Sequence, residues 1–265
     1  MTSVMSSLLQ TFGQVSDSVR LGFERGFDSG EMMDRIYANH PSGRYGIGWL
    51  VDKVYLNQSG CRGLRGRKDL LKSALRETLA AQRAADIQPF ILDIASGPGT
   101  YLAEALAEDA SHDARALCRD LDENGLRRGR VLAGLYRLSN LTYERADAFD
   151  EASLRAVSPR PTIIVSSGFY EILTDGELIR RSMQIIGRVL DPRGTFLFTT
   201  QVNHPQLKLI ETALVNREGK PWVMVNRPLA QVEQWAREAG FASVSSQLEP
   251  AGIFSVSVAR QSASG

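Results

Sequence analysis

The sequence predicts an α/β fold: a mostly parallel sheet closed by an antiparallel C-terminal hairpin and preceded by an N-terminal helical cap. Three observations predict it. Between residues 90 and 200, short apolar runs alternate with segments of helical periodicity, the pattern of successive strand and helix units. The first run leads through Asp93-Ile94-Ala95-Ser96-Gly97-Pro98-Gly99-Thr100, a glycine turn that opens directly into a helix. At the other end, the alternating segments 242–248 and 253–259 flank Glu249-Pro250-Ala251-Gly252, which reads as a hairpin turn.

In chain order, Leu8, Leu9, Phe12, Val15, Val19, Phe23 and Phe27 recur every three or four residues and predict one or two amphipathic helices within residues 1–44. Their apolar stripe either covers the main domain or forms a substrate lid. Asn39-His40-Pro41-Ser42-Gly43 ends them, because proline biases its predecessor away from the α region. The aromatic stretch that follows holds Tyr45, Trp49 and Tyr55, either packing residues or the wall of a substrate site. Residues 59–68 carry Arg62, Arg65, Arg67 and Lys68 among small residues, the composition of a solvated loop or of a clamp for an anion, with Arg65 the candidate substrate contact. A helix over about 69–85, with Leu70, Leu71, Leu75 and Leu79 on one side, leads into the first strand. The expected division is therefore a helical cap or substrate region over residues 1–85 and a core over 86–265.

Within the core, strands are expected at 90–94, 114–122, 141–146, 161–168 and 195–200 before the hairpin. Asp122 is the expected N-cap of a helix over 123–134. Thr174 and Glu177 have capping-box spacing before a helix that runs through Leu190. A last helix over 228–239 stops at Gly240.

Composition narrows the function classes. The 265 residues are 43% apolar, ample for a core, and the formal charge of +1 disfavours a surface that tracks nucleic-acid phosphates. Cys61 and Cys118 are far apart and suggest neither a disulfide framework nor a zinc site, and no metal ligand set is expected. No segment has the length and apolarity of a signal peptide or a membrane span, so the default expectation is a soluble, cytoplasmic protein.

The glycine turn carries the chemistry. Without Cβ atoms, Gly97 and Gly99 let the backbone take positive φ and let a ligand lie against the main chain, while the helix start offers unpaired N–H groups. About 20 residues further on, Asp120 ends the second strand, where a carboxylate can accept both hydroxyls of a ribose. A dinucleotide loop wants a small residue where this chain has Leu102, and Pro98 removes one donor that two phosphates would use. Asp93 adds a negative charge beside the loop and favours a cationic ligand. These departures point to S-adenosylmethionine.

The pattern resembles the class I S-adenosylmethionine-dependent methyltransferases, whose first motif is an acid followed by a glycine-rich loop. The place of the first loop glycine holds Ala95, and Gly97 and Gly99 match the second and third. The resemblance implies a Rossmann-like seven-stranded methyltransferase sheet and S-adenosylmethionine as cofactor. It further implies that Asp120 holds the ribose hydroxyls and that Asp147 and Ala148 clasp the adenine, with Asp93, Ala95, Ser96, Gly97, Gly99, Thr100, Leu121 and Ser167 completing the cofactor contacts. Three segments sharpen it: Ser167-Gly168-Phe169-Tyr170-Glu171-Ile172-Leu173, Asn203-His204-Pro205-Gln206-Leu207 and Gly63-Leu64-Arg65-Gly66-Arg67. These are similar to segments of a family of bacterial methyltransferases found alone or fused behind an α/β-hydrolase domain, over most of the chain from about Ser29 onward. The fusion hints, by analogy alone, at lipid or acyl metabolism.

Methyl transfer from a sulfonium is an in-line displacement with a good leaving group, so alignment can supply on the order of 7–11 kcal/mol of the barrier. A hydroxyl acceptor also needs its proton taken, and His204 or Glu171 could act as base, with Tyr170 the third catalytic candidate and Phe169 a substrate contact. Each has a structural alternative: His204 as a cap, Tyr170 as a core aromatic, Glu171 as the partner of an arginine. Three functions compete. The favoured one is methylation of a small-molecule or lipid-like acceptor under the aromatic cap. RNA or protein methylation is disfavoured by the charge balance and by Ser166-Ser167-Gly168-Phe169, which stands where enzymes acting on nucleobase amines usually carry Asn-Pro-Pro-aromatic. The third is a nucleoside-binding protein without chemistry, or a nicotinamide oxidoreductase.

Overall fold

Apolar runs buried on both faces set the centre of the molecule. In the computed structural model, which describes residues 13–261, every residue of β1 (Phe90–Ile94) is buried. So is every residue of β4 (Ile163–Ser166) and β5 (Thr195–Gln201). Parallel strands need helical crossovers, which cover the two faces and make continuous burial possible. β2 (Arg115–Asp120), β3 (Leu141–Arg145), β6 (Ser243–Leu248) and β7 (Phe254–Arg260) complete a seven-stranded sheet in the order β3-β2-β1-β4-β5-β7-β6. β7 runs antiparallel between β5 and β6, so the expected hairpin closes the sheet.

The helices follow in chain order: α1 (Asp17–Arg25), α2 (Gly30–Ala38), α3 (Ile47–Leu56), α4 (Ser59–Ala84), α5 (Thr100–Glu108), α6 (Glu123–Leu135), α7 (Glu151–Arg155), α8 (Phe169–Ile172), α9 (Gly176–Val189), α10 (Leu207–Ala213) and α11 (Leu229–Glu238). Of the expected N-terminal stripe, Leu8, Leu9 and Phe12 lie outside the described residues. Asp122 caps α6 as expected, its side chain accepting from the N–H of Asn124. The start of α9 differs: Asp175, not Thr174, accepts the N–H of Glu177, since a carboxylate one residue closer serves the positive helix end better than a hydroxyl.

The largest departure concerns residues 59–68. They form the first third of α4 rather than a loop, and Gly60, Gly63 and Gly66, every three residues, let one helix face lie close to its neighbours. A Cβ on Gly63 would stand 3.1 Å from the Phe254 ring, and one on Gly60 2.6 Å from Nε2 of His204. Further along, Leu71, Leu75 and Leu79 are buried in the cluster that contains Ile91, Leu102 and Val165. Burial of each is worth about 1.5–3 kcal/mol. The expected boundary at residue 85 thus falls at the end of a helix that packs on the N-terminal helices at one end and on the sheet at the other.

The N-terminal helices are organised around a buried carboxylate. Asp52 accepts from the Ser16 hydroxyl at 2.5 Å, the Ser18 N–H at 2.7 Å, the Ser42 N–H at 2.9 Å and Arg35 at 2.9 Å. A charge without water needs this many donors.

Candidate active site

The chain runs from β1 outward to β3 on one side and then returns to β4 and β5 on the other, so its direction reverses between β1 and β4. Crevices open at the carboxyl ends of strands at such a reversal. Here a cavity of about 670 Å³ runs from the glycine turn to the N-terminal helices and to the segment after β5.

The turn has the backbone its sequence demands. Ala95, Gly97 and Gly99 have φ of 50°, 55° and 63°. At Gly99 a Cβ would lie 2.8 Å from Sγ of Cys118, so close packing adds to the conformational demand. At Gly97 a Cβ would meet nothing within 4 Å, which leaves the space against the main chain open to a ligand. Ala95 holds a left-handed φ despite its Cβ, at a cost of roughly 1–2 kcal/mol. Asp120 receives the Gly97 N–H on Oδ2 at 2.7 Å and the Asp122 N–H on Oδ1 at 2.8 Å, which fixes the carboxylate at the cavity wall. Ser96, Thr100, Leu121, Asp147, Ala148 and Ser167 line the same end. Asp147 spends one oxygen on the Phe149 N–H at 2.9 Å.

Asp93 differs from expectation. It is fully buried, does not line the cavity, and neither carboxyl oxygen has a hydrogen-bond partner among the described residues. Burial pushes its carboxyl up to about 8, the charge of Asp120 adds to the rise, and the Tyr101 hydroxyl beside it opposes it only in part. Around neutrality it therefore offers little charge to a cation.

A contact unseen in the sequence ties the N-terminal helices to the turn. Asp34, on α2, accepts from the Thr100 hydroxyl at 2.5 Å and from Arg128 at 2.5 Å. Its carboxyl is raised by burial, against the pull of Thr100 and Arg128.

At the far end of the cavity stands a buried ion pair. Arg67 donates from Nη1 to Oε1 of Glu171 at 2.9 Å, and the two side chains are 4% and 5% exposed. Oε1 also accepts from the Thr199 hydroxyl at 2.7 Å, while Oε2 of Glu171 has no partner among the described residues. Arg67 further donates from Nη2 to the Tyr37 hydroxyl at 3.3 Å and stacks over Phe254. Met33, Tyr55, Phe169, Ile210, Trp222 and Met224 give the chamber around this pair apolar walls. Burial pushes the Tyr55 hydroxyl well above its usual range.

The remaining candidates divide. Tyr170 lies in the core under the sheet, its hydroxyl hydrogen-bonded to Ser182 at 3.0 Å, and it does not line the cavity. Helical rotation in α8 turns its neighbours Phe169 and Glu171 into the cavity instead. His204 lines the chamber, but Nδ1 accepts the Gln206 N–H at 3.1 Å and burial lowers its pKa. The neutral ring therefore carries its proton on Nε2 and is a donor, the reverse of a base. Tyr45 is 86% exposed and lies away from the cavity, as does Trp49 beneath the Lys53 ammonium. Arg65 donates to the carbonyls of Leu56 at 2.9 Å and Ile36 at 3.3 Å and ties helix ends together. Arg67, two residues on, reaches the cavity instead. Its sequence signal was helical spacing: it lies seven residues past Gly60, on the same face.

Sheet order, antiparallel closure and the glycine turn with its acid one strand later define the class I methyltransferase fold. The chain belongs to the family described as "Putative methyltransferase", which matches residues 2–261. It is 36% identical over 258 residues to YnbC of Escherichia coli K12, covering 96% of this chain and 44% of that protein. The chain therefore spans less than half the length of this curated relative. Among solved structures it is similar to a possible exported protein from Bordetella parapertussis, with TM-score 0.71 at 18% identity over 88% of this chain and 79% of the other. It is also similar to magnesium protoporphyrin IX methyltransferase from Synechocystis, solved with bound SAH (TM-score 0.56, 13% identity, 90% and 98% covered). A third is an O-methyltransferase family protein from Burkholderia thailandensis (TM-score 0.55, 13% identity, 81% and 63% covered). At these identities the structural likeness concerns the fold. Among the described residues, no helix is long and apolar enough to cross a membrane.

Proposed function

We propose that this chain is an S-adenosylmethionine-dependent methyltransferase acting on a small-molecule or lipid-like acceptor. The observation that carries the reading is the continuity of one cavity, from the open main chain at Gly97 beside Asp120 to the apolar chamber around Arg67 and Glu171.

The residues at the turn fit the cofactor: space at Gly97, a carboxylate oriented by two N–H groups, and Asp147 with Ala148 beyond β3. When bound, S-adenosylmethionine supplies an electrophilic methyl group on a sulfonium. Asp120 holds the ribose hydroxyls, and Asp147 meets the adenine. The N-terminal helices, latched to the turn by Asp34, cover the acceptor and exclude water. The enzyme's own contribution is then chiefly alignment in a closed, dry site, worth on the order of 7–11 kcal/mol.

Calorimetric titration with S-adenosylhomocysteine and with NAD tests the reading. Binding of the first and not the second is expected. Binding of NAD alone would establish a nicotinamide enzyme, and steep salt-dependent RNA binding would favour the nucleic-acid alternative.

A further inference from the structure

The acceptor chamber holds polar groups that the fold leaves without partners. Oε2 of Glu171 and Nε1 of Trp222 are both buried and both lack a hydrogen-bond partner among the described residues, and both residues line the chamber. An unpaired buried acceptor or donor is costly, more so for a charged group, and such groups recur where a ligand supplies the missing partner. Both guanidiniums on the cavity wall already have a carboxylate partner. Arg67 pairs with Glu171, leaving its Nε without a partner among the described residues, and Arg217 pairs with Asp28; among the described residues these are the two guanidiniums on a cavity wall that also carries six carboxylates. A carboxylate or phosphate on the acceptor would meet, among the described residues, two guanidiniums that already hold carboxylates and a surplus of negative charge. An ammonium would meet Arg67 and the positive sulfonium together.

Building on the methyl-transfer reading above, we propose that the acceptor is a neutral, largely apolar molecule bearing a hydroxyl, and that this hydroxyl donates its hydrogen bond to Oε2 of Glu171. Arg67 and the Thr199 hydroxyl hold Oε1, so the glutamate presents its other oxygen in a fixed direction. The apolar body lies among Tyr37, Ile210, Met224 and Phe254. His204 serves as a second donor through Nε2, because its Nδ1 is occupied. In the transfer, the hydroxyl oxygen bonds to the methyl carbon as the carbon–sulfur bond breaks and its electron pair stays on sulfur. The hydroxyl proton passes to Oε2. The products are a methyl ether, a neutral thioether and a protonated Glu171 that returns its proton to water.

The test uses wild-type protein saturated with S-adenosylhomocysteine and reads acceptor affinity by calorimetry. Saturation itself checks the cofactor reading; failure there would sink that reading independently of the acceptor. The probes are para-octylphenol, its methyl ether para-octylanisole, decanoate and decylamine. The phenol is expected to bind at least about tenfold more tightly than the anisole, the scale of one hydrogen bond to a charged group. It should also bind more tightly than decanoate or decylamine. Equal binding of phenol and anisole, preference for decanoate or decylamine, or no binding of the phenol would each overturn the proposal. In the variant Glu171→Gln, the preference for phenol over anisole should shrink while affinity for S-adenosylhomocysteine stays within about twofold. Should that variant misfold, the wild-type comparison still decides.

Discussion

Gly97 donates its backbone N–H to Oδ2 of Asp120 at 2.7 Å, so the turn after β1 and the carboxylate after β2 form one hydrogen-bonded unit. Two roles of Asp120 follow, one toward the proposed ribose and one toward the shape of the turn. Asp120→Ala should therefore weaken S-adenosylhomocysteine binding by about 1.5–3 kcal/mol, or about 10- to 100-fold in affinity. Calorimetry reads this directly, and an unchanged dissociation constant would remove Asp120 from the site.

Asp93 should make stability depend on pH in an unusual direction. Its carboxyl titrates at about 8 in the folded chain against an ordinary value of 3.8. Between those values the unfolded chain has released the proton and the folded chain keeps it, so the contribution of Asp93 to stability is fully present below about 4 and is lost as pH rises toward 8. Asp93→Asn should flatten that slope. Urea unfolding of both proteins across this range checks it, and parallel slopes would contradict it.

His204 should act with the opposite sign. Burial lowers its pKa from 6.5, so below that value the unfolded chain takes up a proton that the folded chain refuses, and stability is lost as pH falls. His204→Gln should remove this loss and leave cofactor affinity nearly unchanged. Nitrogen NMR of the wild-type ring should show the proton on Nε2; a proton on Nδ1 would contradict the hydrogen bond from Gln206.

The glycines of α4 are predicted to differ in kind from Gly134 in α6. Gly63→Val forces side-chain atoms against Phe254 and Glu249 and should cost about 1–3 kcal/mol. Gly134→Ala meets nothing within 4 Å inside a helix and should stabilise by about 0.4–1 kcal/mol. Thermal unfolding of the two variants separates the cases.

Much of the frame was legible along the chain. β1 with its glycine turn, Asp120 at the end of β2, the Asp122 cap and the closing hairpin all depend on neighbours a few residues apart. The catalytic and substrate candidates were harder. Tyr170 and Glu171 are adjacent in sequence yet face a core and a cavity, and Arg65 and Arg67 divide in the same way once residues 59–68 are helical.

The α/β sheet, the place of its glycine turn and the acid one strand later can be read from the chain alone, because local backbone preference and apolar periodicity specify those without reference to distant residues. Which side chains meet depends on the folded packing. Arg67 reaches Glu171 across 104 positions and Asp34 reaches Arg128 across 94. Such pairs form because burial forces each charge to find a counter-charge wherever the fold brings one, and no spacing rule along the chain encodes that meeting.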